Sequence, residues 1–199
     1  AFEECYTGNP LVNVMCLGIL REDELVLGTA GEPGSIAVLL GAATGRDGIG
    51  GASVLASASF DEESGAKRPS VQVGDPFEEK KLIEACLELY REKLVVGVQD
   101  LGVAGLSCAF SEPAARASAG MSVDLNRVHV REDGMTAPEL LMSESQERMM
   151  AFVHPDNVDA VLAVAEKWEI DASVVGEVKA GGSLDVYHDG ELVAQLPAA

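Results

Sequence analysis

Apolar positions recur along this chain in short continuous or alternating runs interleaved with longer stripes at helical spacing, the pattern of strands alternating with helices. Leu11–Leu20 is apolar and β-compatible, and Glu24–Gly28 is a shorter candidate strand. Gly31-Glu-Pro-Gly34 predicts a turn into Ile36–Gly41, whose unbroken apolar run fits a strand buried on both faces. The most informative stretch is Val71–Gly105. Ser70–Val73 predicts a short strand, and Asp75 with Glu78 three residues on has the spacing of a capping box, with Pro76 at the first helical position. Leu82, Ile83, Cys86, Leu87, Leu89 and Tyr90 then form a helical stripe, and Leu94–Val98 resumes a strand. If those two strands pair in parallel through a right-handed crossover, Gln72 and Asp100 emerge together at the carboxyl edge, where open α/β sheets bind ligands.

Beyond this unit, Gly102–Ala119 is rich in small residues and predicts a helix, which Pro113 breaks or kinks unless a second helix starts there. Ser122–Val130 is extended, Asp133-Gly134 is a turn, and Thr136 with Glu139 caps a helix running towards Ser143. Arg148–Val153, Asp156–Trp168 and Ala172–Val178 read as strand, amphipathic helix and strand. Ser183–His188 and Leu192–Leu196 alternate around Asp189-Gly190, a hairpin signal that makes the C-terminus a sheet edge. Phe60–Pro69 is charged and lacks apolar periodicity, as a solvated connector does.

A length of 199 residues suits one domain, or one with an appended lobe, and the formal charge of −19 repels phosphate backbones and anionic lipid. Nucleic acid and membrane are thereby excluded as expected partners. Cys5, Cys16, Cys86 and Cys108 lack the close pairing of zinc sites and read as reduced thiols. No apolar run reaches the length of a membrane span, so a soluble, cytoplasmic protein is expected. The chain opens on Ala1-Phe2-Glu3-Glu4 without an initiator methionine, as a piece of something longer would.

Candidate chemistry is sparse. Closely spaced glycines in Thr44–Gly51 leave two readings, a phosphate cradle before a helix at Ala52–Ala58 or a turn needed only for packing, and the spacing is not that of a P-loop. His129, His154 and His188 have no partnered motif for a catalytic triad and read as surface residues. Gln72, Asp100 and the Glu144-Ser145-Gln146 triplet remain. Asp100 is either a ligand group or the cap of a following helix, and the triplet either a site or a helix end.

Gly8–Asn13, Thr44–Ile49, Val71–Phe77, Gly97–Gly102, Arg131-Glu132 with Gly134–Thr136, and Met142–Met149 together resemble, over nearly the whole chain, the phosphoribosylformylglycinamidine synthase family. The resemblance is to its synthetase subunit, and there to the first domain of the aminoimidazole ribonucleotide synthetase C-terminal type. It implies an α/β (α+β) fold, a three-layer α/β/α domain, partly ferredoxin-like, with a mixed sheet. Residues 1–30 would lead in as strands from a preceding domain, and 31–199 would form the domain proper. The implied enzyme is an ATP-dependent carbon–nitrogen ligase of purine biosynthesis, which with magnesium converts formylglycinamide ribonucleotide to the amidine. Its ammonia comes from glutamine through a glutaminase subunit, and a small accessory subunit completes the complex. Carried over by motif, Gln72, Glu144, Ser145 and Gln146 bind substrate and Asp100 binds magnesium. The family's catalytic histidine, ATP-contacting lysine and other magnesium carboxylates belong to the preceding domain, so the chain alone is expected to be inactive. The rival expectation is a non-catalytic metabolite-binding or assembly domain. Pro113 and His129 depart from the family pattern, at positions away from the transferred residues.

Overall fold

The computed structural model describes residues 3–6, 14–49 and 72–197. In chain order the elements are β1 (Ile36–Gly41), α1 (Pro76–Arg91), β2 (Val95–Asp100), α2 (Gly105–Arg116), β3 (Gly120–Asp124), α3 (Ala137–Met142), β4 (Arg148–Val153), α4 (Val158–Lys167), β5 (Ala172–Lys179), β6 (Ser183–His188) and β7 (Glu191–Pro197). The strands form one mixed sheet in the order β2-β4-β1-β5-β3-β6-β7, parallel only between β3 and β6.

Strand alternation divides the core between the two sheet faces. From β1 and β4, Val38, Leu40, Ala151 and Val153 pack with Leu82, Ala85 and Leu89 of α1 and Val161 and Ala165 of α4. Leu39, Met150 and Phe152 point the other way, onto Leu106, Ala109 and Phe110 of α2 and Leu140 of α3. Three layers result, as expected. β4 and β5 both run antiparallel to β1 and flank it, so β4-α4-β5 is a β-α-β unit split by an inserted strand, the ferredoxin-like part of the fold.

The central unit differs from expectation. Gln72 and Val73 lie in no strand, Ser70 and Val71 fall outside the described residues, and β2 pairs antiparallel with β4 rather than in parallel with an incoming strand. On the other side of β2, the Val98 amide donates to the Leu27 carbonyl at 3.1 Å, so an irregular segment occupies that edge instead of a strand. Glu24–Gly28 is accordingly not a strand. Residues 14–30 hold a single 3-10 turn, Glu22–Glu24, and no strand, and Leu11–Asn13 lie outside the described residues. Asp75 does cap α1, accepting from the Phe77 and Glu78 amides at 3.0 and 3.2 Å. The Asp75 amide, however, donates to Glu147 at 3.0 Å, a tertiary partner in the place the local box would give to Glu78.

α2 runs through Pro113 and ends one turn later, where a missing amide removes only one of the last helical bonds and the buried ring packs in the core. Ser122–Val130 is extended to Asp124, whose side chain accepts from the Asn126 amide and turns the chain into a 3-10 segment, and is extended again from Val128 to a parallel bridge between Val130 and Thr44. The Thr136–Glu139 capping box and the Asp189-Gly190 hairpin form as predicted. The expected helix at Ala52–Ala58 and the Phe60–Pro69 connector lie outside the described residues.

Candidate functional site

The antiparallel pairing of β1 and β2 with β4 sets Gly41 opposite Arg148 and Asp100 opposite Met149, so the carboxyl ends of β1 and β2 share an edge with the start of β4. Ser143–Glu147 precedes β4 and therefore lies along that edge. Glu144 is 2% exposed, and its two carboxylate oxygens accept from the Gln72 side-chain amide at 2.7 Å and the Ala104 backbone amide at 3.0 Å. One buried carboxylate thus joins the segment before α1 to the turn before α2. The Gln146 side-chain amide donates to the Glu144 carbonyl at 2.9 Å.

Ser145 is fully buried. Its hydroxyl accepts from the Gly45 amide at 2.9 Å and donates to Asp47 at 2.7 Å. The structure therefore brings together the residues expected to form a site, but with different exposures: Gln72, Gln146 and Asp100 reach solvent, whereas Glu144 and Ser145 are internal. The physical reason is the strand-edge turn itself, which has too few backbone partners of its own and draws on these side chains.

Asp100, exposed at the end of β2, receives the Gln99 side-chain amide at 2.8 Å. Gly102 leaves open the space beside its second oxygen, since a Cβ there would stand 2.9 Å from Asp100 Oδ2. No backbone amide bond to the Asp100 carboxylate, as a helix cap would make, is formed among the described residues; α2 begins after Ala104 without a side-chain cap. Asp100, Gly102, Gln146 and Glu147 border a cleft of about 370 Å³ whose opposite wall is the Ile83, Leu87 and Tyr90 side of α1. Burial raises the Cys86 thiol in that wall to about 11, which keeps it protonated and unreactive.

Charged groups behind the site went unassigned in the sequence. Arg148 is 3% exposed and donates to the Ser145 and Ser143 carbonyls at 2.8 and 2.7 Å and to Thr44 Oγ1 at 2.9 Å. Burial lowers its pKa to about 10, with Asp47 opposing the shift, so it stays charged and braces the turn. Arg131 pairs with Asp47, and Arg46 pairs with Glu132 and Glu139. The signal available was charge inside otherwise apolar or glycine-rich motifs. Burial also raises the Glu147 carboxyl, with Glu79, Asp75 and Asp47 adding to the effect.

Of the two readings of the glycine-rich loop, packing has the better support. Thr44, Gly45 and Arg46 amides donate to the His129 carbonyl, Ser145 Oγ and Glu132 respectively, so these N–H groups are already taken. His129 is no surface residue. It is half-buried between Ser173 Oγ at 2.8 Å and the Gly41 carbonyl at 3.1 Å.

The chain matches the family described as AIR synthase related protein, C-terminal domain, over residues 32–189. The phosphoribosylformylglycinamidine synthase subunit PurL of Thermobifida fusca is 58% identical over 204 residues, which covers 98% of this chain and 27% of that protein. Among solved structures, T. maritima PurL complexed with FGAR superposes with a TM-score of 0.83 at 43% identity, over 90% of this chain and 29% of that one. T. maritima PurL complexed with ATP gives 0.77 at 40% identity, over 90% and 27%. The chain therefore spans little more than a quarter of the length of the relatives it matches.

Proposed function

Because the chain belongs to the AIR synthase related C-terminal domain family, we propose that it is the substrate-side domain of a phosphoribosylformylglycinamidine synthase of the PurL type. The observation that carries this reading is the Glu144 carboxylate, which draws Gln72 to the turn between Asp100 and α2 and so assembles one ligand edge from three distant motifs. The substrate set is Gln72, Glu144, Ser145 and Gln146. With the Gln72 Nε2 committed to Glu144, its amide oxygen is left to accept from a ligand N–H, and the Gln146 oxygen is left likewise. Glu144 holds both amides in place, and Ser145 ties the turn to Gly45 and Asp47.

In this reading the glycinamide carbonyl oxygen of formylglycinamide ribonucleotide takes the γ-phosphoryl group of ATP, and ADP leaves. Ammonia then adds to the carbon and inorganic phosphate leaves, giving the amidine. This chain's residues orient the formylglycinamide arm during both steps. Asp100 would hold magnesium, which prefers few protein carboxylates together with phosphate oxygens and water, and the space beside Asp100 Oδ2 fits that donor set. Bound there, the ion supplies charge neutralisation for phosphoryl transfer. A glutaminase subunit delivering ammonia, a small accessory subunit and a cytoplasmic location complete the proposal.

The test is complementation. The 199-residue chain alone should give no ATP-dependent amidine formation, and supplying the remainder of a PurL subunit by fusion should restore it. A correctly folded fusion that stays inactive would favour the non-catalytic binding or assembly reading, and turnover by the chain alone would overturn the placing of the remaining catalytic groups outside it.

A further inference from the structure

Asp100 does not stand alone at the end of β2. Gln99 Nε2 donates to Asp100 Oδ1 at 2.8 Å, while Gln99 Oε1 accepts from Arg116 Nη1 at 2.8 Å. The same Arg116 nitrogen donates to the Gly28 carbonyl at 2.9 Å, and Arg116 Nη2 donates to Glu112 at 2.9 Å. A primary amide is nearly symmetric in shape but opposite in polarity at its two ends. Arg116 has only donors, so it selects the amide orientation that turns the NH₂ of Gln99 towards the carboxylate. Released, the amide can rotate and set its oxygen against Asp100, where the two acceptors repel.

The segment that leads into the domain is seated in the same cluster. A Cβ on Gly28 would meet Arg116 Nη1 at 2.7 Å and Gln99 Oε1 at 2.9 Å, so a side chain there would displace the ends of both. The Leu27 carbonyl accepts from Val98, and the Ala30 amide donates to the Pro113 carbonyl at 3.1 Å, which holds the segment between β2 and α2.

We propose that Arg116 and Gln99 are positioning residues for Asp100, and that through the Gly28 carbonyl they tie the seating of the lead-in segment to the orientation of that carboxylate. The relay rests on the reading of Asp100 as a magnesium ligand. It fixes one carboxylate oxygen and leaves the other, beside Gly102, free for the ion.

The experiment uses a full-length PurL subunit carrying this domain, with Mn²⁺ as the spectroscopic stand-in for magnesium. Mn²⁺ binding is measured by electron paramagnetic resonance, and the Mg²⁺ dependence of turnover and the melting temperature are followed in parallel. Arg116→Met and Gln99→Leu should each weaken Mn²⁺ binding roughly tenfold, the usual effect of losing a group that orients a metal ligand. Both should raise the Mg²⁺ requirement alike, with kcat recovered at saturating Mg²⁺ and melting temperature little changed. Arg116→Lys, which keeps a donor, should recover part of the loss, and Glu112→Gln should leave metal binding intact. A merely structural role would lower melting temperature without moving the metal titration, and that outcome overturns the proposal. Asp100→Asn separates the two levels: if it disturbs metal binding while Arg116→Met and Gln99→Leu do not, only the relay is wrong. If Asp100→Asn leaves metal binding unchanged, the ligand reading fails and the relay falls with it.

Discussion

Gln72 and Glu144 show how one contact sets the chemistry available at a site. The pair is neutral amide against carboxylate at 2.7 Å, so the amide must present its NH₂ inward and its oxygen outward. In a full-length enzyme, Gln72→Ala should reduce kcat/KM for formylglycinamide ribonucleotide by about 1–3 kcal/mol, the range for losing a hydrogen bond and stranding its partner. Gln72→Glu should do worse despite its matching shape, because two carboxylates would face each other. Lowering the pH should recover part of that loss as the pair comes to share a proton. Steady-state kinetics across pH decide this, and equal defects in both variants would remove the role given to Glu144.

His129 carries a pH dependence of its own. The Gly41 carbonyl can only accept, so Nε2 bears the proton, and in the neutral ring that burial favours Nδ1 accepts from the Ser173 hydroxyl. Burial lowers the pKa of this histidine, against the opposing effects of Asp171 and nearby carbonyls. The unfolded chain then binds the extra proton first, so the stability His129 contributes is present above its unfolded pKa and is lost as pH falls through the lowered folded value. Between about pH 7.5 and about pH 5, wild type should therefore lose more unfolding free energy than His129→Gln. Parallel denaturant titrations test this, and identical pH slopes would contradict it.

At the level of elements, α1 is anchored from both sides of its first turn. Asp75 accepts from two amides of the helix while its own amide is held by Glu147, a residue in the loop before β4. The helix start and the site loop are therefore mechanically joined. Asp75→Ala should cost about 1 kcal/mol of stability, the usual loss for an N-cap. It should also raise KM for the ribonucleotide, because Gln72 lies three residues upstream on a segment with no regular structure. A purely local cap would lower the melting temperature and leave KM alone. Glu147 itself adopts φ +56°, a conformation held by the turn into β4, where its carbonyl accepts from the Ala42 amide at 2.9 Å.

For the whole molecule, 33 acidic against 14 basic side chains leave a self-repulsive surface on which many of the ion pairs are at least partly exposed. Such pairs add little, so screening should relieve more repulsion than it removes attraction. Melting temperature should rise between about 10 mM and about 150 mM monovalent salt. A fall over that range would mean that paired charges dominate.

Strands β1 and β4, the capped helices α1 and α3, and the final hairpin lie where the pattern of residues places them, because each is written in short-range terms: alternation, a capping side chain, or a two-residue turn. The family, too, is legible from ordered motifs. Sheet partners were not, since backbone hydrogen bonds are blind to side-chain identity and β2 can satisfy its edge with β4 and an irregular segment as readily as with a parallel neighbour. The candidate residues Gln72, Asp100 and Glu144–Gln146 could be named from sequence, but their division into exposed groups and buried supports could not. That division, the link from Glu147 to Asp75 and the hold of Arg116 on Gln99 arise from contacts between residues separated along the chain. Only the folded sheet brings them within hydrogen-bonding distance.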